Sequence, residues 1–503
     1  VAARGVIFGP WWATDAPSVF QKEILLIFPR KVNEPIREEI GHAKFCIIVD
    51  EARDASKKEQ MAVVIRFVNK NGVLRERFFG IVPVPNTMAV TLKDSTCSVL
   101  NHHNLDIWNI RGQGFDGASN MRGEFHGLQA LILSDCPYAY YVHCFAHRLQ
   151  LALVASAKEV LPVDRFFAKL LRIVNIVSAS CKRNDELKAA HADDIAFLIS
   201  IEELETGRGL NQIGNLQRPG DTRWSSHLKS VSSLIKMYSA ACMVLLNIYE
   251  DGPTSLKGEA RSTHKALTSF EFVFILHLMK SMLGITNSLC LALQSKTQDI
   301  LKATSMVLST KSLLQNLRDD EFDDLVATVK LFCESRNIDI PNLNAKYSSR
   351  YDPTRDNFSV LDRYRVDIFY RAIDSQIQEL NRRFDEQVME LLVLSSTLNP
   401  NCHSSIFKID DICLLVDKFY PEDFTEFEKS NLKLELRHYE NCVISLPEYK
   451  NLSSISELCQ WLVETKWSTT YQLVYRIVVL VLTLSVSTAT AERSFSAMNI
   501  IKT

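Results

Sequence analysis

The sequence predicts an α/β plus all-α chain, a mixed sheet interrupted by a large helical insertion. Three observations predict it. Between Phe45 and Val142, short apolar runs of strand type alternate with segments of helical spacing. From about Leu161 to Lys450 strand signals almost vanish and helical spacing dominates, as in Phe166, Leu170, Ile173, Ile176 and again in Ile373, Ile377, Leu380, Phe384. Near the end a strongly apolar segment, Trp461 to Ser485, reads as one buried helix and runs into the small-residue stretch Ser487 to Met498.

Taken in order, Val19 to Ile40 carries apolar residues at helical spacing and predicts one or two helices. Phe45 to Val49 is a continuous apolar run closed by Asp50, which suits a strand covered on both faces. Met61 to Val68 and Val73 to Val82 are β-rich, and Asn71-Gly72 between them is a strong hairpin signal. Thr87 to His102 predicts a helix, Leu105 to Phe115 a strand, Gly123 to Leu133 a helix, Ala139 to Val142 a short strand and Phe145 to Ala157 a helix. Gly207 to Gly220 and Asn337 to Asp362 read as loops. The expected domains are a helical lead-in over 1–40, an α/β core over 41–160, a helical insertion over 161–450 and a C-terminal region over 451–503.

The 503 residues are enough for roughly two to four structural units. With 57 Lys+Arg against 59 Asp+Glu, no global basic charge points to nucleic acid, so such binding would rest on local patches. The 12 Cys include no Cys-x-x-Cys pair, which favours reduced thiols over a disulfide framework. No leader-type segment is read. The apolar run Ile477 to Val486 is far short of the roughly 20 residues of a membrane span, so no membrane partner is expected.

Strand, hairpin strands, helix, strand, helix, strand, helix matches the ribonuclease-H-like order. There the first and fourth strands lie side by side and parallel, which would bring Asp50 and Asp116 to one edge. Asp116 is followed by Gly-Ala-Ser, residues that allow a tight turn. Clustered carboxylates repel one another and are relieved by hard divalent cations. On spacing alone the pair reads first as ordinary strand-end acids. Asp54 competes with Asp50 but falls in a polar stretch past the strand.

Four separated stretches carry a resemblance. They are Val49-Asp50-Glu51-Ala52-Arg53-Asp54 with Lys58-Glu59-Gln60; Arg111-Gly112-Gln113-Gly114-Phe115-Asp116-Gly117-Ala118-Ser119-Asn120-Met121; His143-Cys144-Phe145-Ala146-His147-Arg148-Leu149; and Ala491-Glu492-Arg493-Ser494-Phe495-Ser496. Together they resemble the hAT superfamily of DNA transposases, within it the zinc finger MYM-type protein 1-like group. The resemblance implies that Asp50, Asp116 and Glu492 form an acidic triad that holds Mg²⁺ or Mn²⁺ and cleaves and transfers DNA strands. Read alone, Glu492 is a helix-surface acid beside Arg493. The resemblance also implies a C-terminal dimerisation region, DNA and a second copy as partners, and a nuclear location.

It further implies that Trp224 stacks on a displaced base with Arg223 on a phosphate. Burial of Trp224 in a helical core stays an equal alternative. Cys144 and His147 match the family's Cys-x-x-His element, with His147 a DNA-facing candidate. Packing or DNA contact is favoured over zinc, because a closed zinc site needs about four ligands and no second half is visible. Nothing ahead of Ser18 resembles the family's zinc-binding DNA module, and the chain stops soon after Glu492. A fragment, or a decayed non-catalytic copy retained for dimerisation and nucleic-acid binding, is therefore the alternative expectation.

Overall fold

The protein is described from a computed structural model, covering residues 27, 31–54, 56–200, 212–220, 225–296, 298–347, 358–384, 389–400 and 407–502. The chain forms two compact units. The first comprises Val1–Cys144, Ser295–Leu301 and Val388–Thr503; the second comprises Phe145–Gln294 and Lys302–Gln387.

The first unit is built on a five-stranded mixed sheet of order β3-β2-β1-β4-β5. Its strands are β1 Phe45–Arg53, β2 Glu59–Val68, β3 Leu74–Pro83, β4 Ile110–Phe115 and β5 Tyr140–His143. β1, β2 and β3 form an antiparallel meander, while β4 and β5 join in parallel. Asn69 organises the β2–β3 turn by accepting from the Asn71 and Val73 amides, and Gly72 takes a left-handed φ of 72°.

The continuous apolar run of β1 is explained by cover on both faces. Phe45, Ile47 and Val49 pack in one cluster with Leu92 and Leu100 of the Ala89–His102 helix and with Leu128 and Ile132 of Leu128–Asp135. Cys46 and Ile48 face the other way, against Ala491 and Phe495 of the C-terminal helix Ala489–Lys502. That second layer also contains Gln472–Thr483, in which Val478, Leu480, Val481 and Leu482 are all buried.

Several boundaries differ from those the sequence suggested. Leu105 to Phe115 is strand only from Ile110, because Ile107–Asn109 forms a 3-10 turn capped by Asp106. The helix expected from Gly123 starts at Leu128. The single helix expected over Trp461 to Ser485 is three: Ile455–Glu464, Trp467–Thr470 and Gln472–Thr483, broken where Lys466 adopts a left-handed φ of 63°. Residues 484–488 are non-helical and cross β4. A Cβ on Gly114 would sit 2.4 Å from Ser485 Oγ, and one on Gly112 would sit 3.5 Å from a Leu484 methyl. Gly114 thus admits Ser485 of this segment against the sheet, while the tightest neighbour of a Cβ on Gly112 would be Cys46 Sγ of β1 at 3.1 Å.

This strap is tied down by charge. Arg66, fully buried on β2, donates to Glu76 on β3 at 2.9 Å, to the Leu482 carbonyl at 3.3 Å and to the Gln298 carbonyl at 2.8 Å. Thr490 donates to the second oxygen of Glu76.

The described parts of the second unit are helical, with one isolated bridge between Lys346 and Ser359. Its longest helix, Phe270–Leu293, is buried from Phe272 through Met279 without interruption. By length and composition it could cross a membrane, but 67% of its most apolar window is buried inside the protein, as in a core helix. It falls within the helical insertion expected over 161–450 and was not singled out there, because Glu271, His277 and Lys280 break its apolar runs.

Candidate acidic site at the sheet edge

Asp50 lies on β1 two residues beyond Ile48, the last β1 residue paired with β4. Asp116 follows Phe115, the last residue of β4. Because β1 and β4 are parallel, both acids belong to one sheet edge. Asp116 shapes its own turn: its carboxylate accepts from the Ala118 amide at 3.1 Å, and its carbonyl accepts from the Tyr141 hydroxyl at 3.0 Å. The turn expected from Gly117 does not use glycine's special freedom, since the left-handed glycines among the described residues are Gly41 and Gly72. An aspartate bonding two residues ahead does the work instead.

Glu492 arrives from the far end of the chain, in the first turn of Ala489–Lys502. The strap and the Arg66–Glu76–Thr490 chain set this helix on the sheet. The electrostatics of Asp50 register the convergence. Its carboxyl is held well above the usual carboxylate range, first by burial, then by the charges of Glu492 and Asp116, with the Glu51 amide opposing. Like charges in a poorly solvated place disfavour ionisation.

Glu51 joins this group, and the sequence reading gave it no role. Its Oε1 accepts from Asn120 Nδ2 at 3.0 Å, and its Oε2 is buried without a hydrogen-bond partner. Burial raises its carboxyl, the Asn120 bond opposes, and the charge of Asp116 raises it again. Asn120 also donates to the Thr87 carbonyl at 2.7 Å. The only signal for Glu51 in the sequence was its place beside Asp50.

Carboxylate oxygens are the donors hard divalent cations take. Yet among the described residues no group of three or more His, Cys, Asp or Glu side chains stands so as to hold a metal ion. The set therefore suits Mg²⁺ by chemistry and not by its present spacing.

Asp54 has a different task. It is buried and accepts from the Ser56 amide at 2.9 Å, the Lys58 amide at 3.0 Å and the Gln60 side chain at 3.2 Å, which fixes the β1–β2 turn. Cys144 is buried, and its sulfur accepts from the Thr488 amide at 3.2 Å and the Thr488 hydroxyl at 3.4 Å. His147 is half-buried on Phe145–Glu159, in the second unit. Arg223 and Trp224 lie outside the described residues.

Comparison with known proteins agrees at both ends of the chain. Residues 14–127 match the family described as ZMYM1/FAM200, RNase-like domain. Residues 435–503 match the hAT family C-terminal dimerisation region. The human "52 kDa repressor of the inhibitor of the protein kinase" is 22% identical over 308 residues, 59% of this chain and 39% of the relative. Its mouse counterpart is 23% identical over 292 residues, 57% of this chain and 37% of the relative. The chain thus spans about two fifths of the length of these curated relatives. The chain is thus similar over residues 14–127 to a ZMYM1/FAM200-type RNase-like domain and over residues 435–503 to a hAT C-terminal dimerisation region.

Proposed function

We propose that the chain is a hAT-type transposase-like protein that cleaves and transfers DNA strands on a ribonuclease-H-like sheet, with Asp50, Asp116 and Glu492 as its acidic set. The observation that carries this reading is the placement of Asp50 and Asp116 at one edge of the parallel strands β1 and β4, with Glu492 near enough to raise the Asp50 carboxyl. The strand order, a meander extended by parallel strands, supports the fold reading. The described residues between sheet and C-terminal helix, helical apart from loops and one isolated bridge, support a helical insertion. A bound Mg²⁺ or Mn²⁺ would activate the attacking oxygen and stabilise the leaving one. The chain's own contribution is to bring acids from residues 50, 116 and 492 together and to keep Asp50 poorly solvated. Arg223, Trp224 and His147 are the proposed DNA contacts, the C-terminal region the self-association surface, and the nucleus the site of action.

A second reading has its own support. The absence of a metal-holding group among the described residues, and relatives named as a repressor, fit a non-catalytic protein acting in dimerisation and nucleic-acid binding. Nicking of a supercoiled plasmid carrying the genomic DNA that flanks the chain's own coding sequence separates the two. Under the first reading Mg²⁺ or Mn²⁺ supports nicking, and Asp116→Asn abolishes it without lowering thermal stability. Binding of that DNA with no metal-dependent nicking would establish the second reading instead.

A further inference from the structure

We infer that Cys442 is a reactive thiol, activated by His438 with Tyr471 as the positioning residue, and that it takes covalent modification by small disulfides. The helix Glu426–Tyr439 runs directly into the π-helical turn Glu440–Ile444. His438 and Cys442 stand four residues apart across that junction, a spacing that brings side chains to one helix face. His438 Nε2 lies 3.8 Å from the Cys442 sulfur. The other ring nitrogen, Nδ1, lies 2.7 Å from the Tyr471 hydroxyl. A nucleophile beside a base that a third group orients is the arrangement that activates a thiol. π-helical turns are rare and occur frequently at functional sites.

The three residues differ in exposure as such a set requires. Cys442 is exposed and free, so a reagent reaches it. Tyr471 is buried just ahead of Gln472–Thr483, its ring 5.2 Å from that of Tyr439 and 5.6 Å from that of Trp467. It is a fixed point for the exposed imidazole. Burial first, then the hydrogen bond and charge of Cys442, then the charge of Glu435, push its phenol up to about 12, so it keeps its proton at neutral pH. Glu435 itself accepts from the Leu473 and Val474 amides at 2.9 and 3.1 Å. With the phenol donating to Nδ1, the ring proton sits on Nε2 and faces the sulfur, which favours the thiolate. With Nδ1–H donating to the phenol oxygen, Nε2 is bare and takes the thiol proton as a base. Either placement gives a nucleophilic sulfur. In the step itself the thiolate attacks one sulfur of a small disulfide, a new S–S bond forms as the old one breaks, and the departing thiolate takes up the proton that Cys442 gave up. The protein thiol is oxidised and half of the reagent is reduced. The adduct would lie within residues 435–503, the stretch that matches the dimerisation region. None of this depends on the acidic set.

Oxidised glutathione added to the 503-residue protein tests the assignment, with the adduct at each cysteine read by peptide mass spectrometry after acid quenching. Cys181, the other exposed thiol among the described residues, is the internal standard. An ordinary thiol, with a pKa of about 8.5, is barely ionised at pH 6, and a thiolate of lower pKa is somewhat less nucleophilic. The gain from His438 is therefore largest at low pH. His438→Gln should slow modification of Cys442 by about tenfold at pH 6 and far less at pH 8.5, with Cys181 unchanged. Tyr471→Phe, which keeps the ring and removes the hydroxyl, should move the Cys442 profile in the same direction. Thermal melting accompanies each variant, and should Tyr471→Phe fail to fold, His438→Gln at its exposed position decides alone. Folded His438→Gln protein modified at pH 6 as fast as the parent, or slowed equally at every pH, would overturn the activation of Cys442. A folded Tyr471→Phe protein with the parent's profile would overturn the positioning role of Tyr471.

Discussion

Gly114→Ala is expected to destabilise the first unit through a single contact. The added Cβ would lie 2.4 Å from Ser485 Oγ, 2.6 Å from Ser485 Cβ and 3.6 Å from Ile48 Cγ1. Turning the serine hydroxyl away relieves the first contact but not the second, because a Cβ moves only with its backbone. Carbon pairs sit best at about 3.5–4.0 Å, so residue 485 must retreat by about 1 Å. Forced overpacking of this kind costs about 1–3 kcal/mol. Retreat is hindered by the chain on either side of it, held at Leu482 by Arg66 and at Thr490 by Glu76. Urea unfolding followed by tryptophan fluorescence and circular dichroism measures the loss. The control is Gly114→Ala combined with Ser485→Gly, which removes the clashing carbon. Recovery of at least about half the loss would show a coupling energy typical of residues in contact. Gly114→Ala with unchanged stability, or a loss that Ser485→Gly does not relieve, would refute the strap's close packing on β4.

Four further outcomes follow. Arg66→Ala leaves Glu76 buried without its ion-pair partner and should cost about 3–5 kcal/mol in chemical denaturation, whereas Arg66→Met with Glu76→Leu should recover most of it. Val478→Asp or Leu482→Asp places an unpaired charge in a fully buried helix and should unfold or aggregate the protein, as size-exclusion chromatography would show. Asp54→Ala strips the acceptor from the Ser56 and Lys58 amides and should cost about 1–3 kcal/mol in thermal melting. Because the folded protein raises the Asp50 carboxyl, that group favours folding at low pH, and its contribution is lost as pH rises through the folded value. Asp50→Asn should therefore raise the melting temperature at pH 8 and do so less near pH 4; a pH-independent difference would contradict this.

The order of strands and helices in the first unit was legible because each element carries its own period. β1 was read as doubly covered from five apolar residues in a row, Phe45 to Val49, and both covering layers are present. Asp50 was preferred to Asp54 by its place at the end of that run, and Asp54 accepts three hydrogen bonds within the β1–β2 turn. The strap was not legible. An apolar run such as Leu480 to Val486 reads alike as helix or extended chain, and no glycine or proline marks the break at Lys466. Gly114 was the available signal, a glycine inside a strand where a close neighbour must lie. Arg66 and Glu76, in register across a hairpin, were given no role, because their further partners, the Leu482 and Gln298 carbonyls and the Thr490 hydroxyl, lie hundreds of residues away. Glu51 was overlooked because two adjacent acids cannot be ranked by type. The buried Phe270–Leu293 helix shows the converse: its scattered polar residues hid a core element from a search for unbroken apolar runs.

The most direct measurement of the central claim, that Asp50, Asp116 and Glu492 act on one another at one edge, is the titration of the Asp50 carboxyl itself. Carbon-13 labelled aspartate gives its resonance, assigned by its loss in Asp50→Asn. The account predicts a midpoint well above the usual carboxylate range in the parent protein, moving down in Glu492→Gln and again in Asp116→Asn. An Asp50 midpoint in the ordinary range, or one that neither substitution moves, would contradict it.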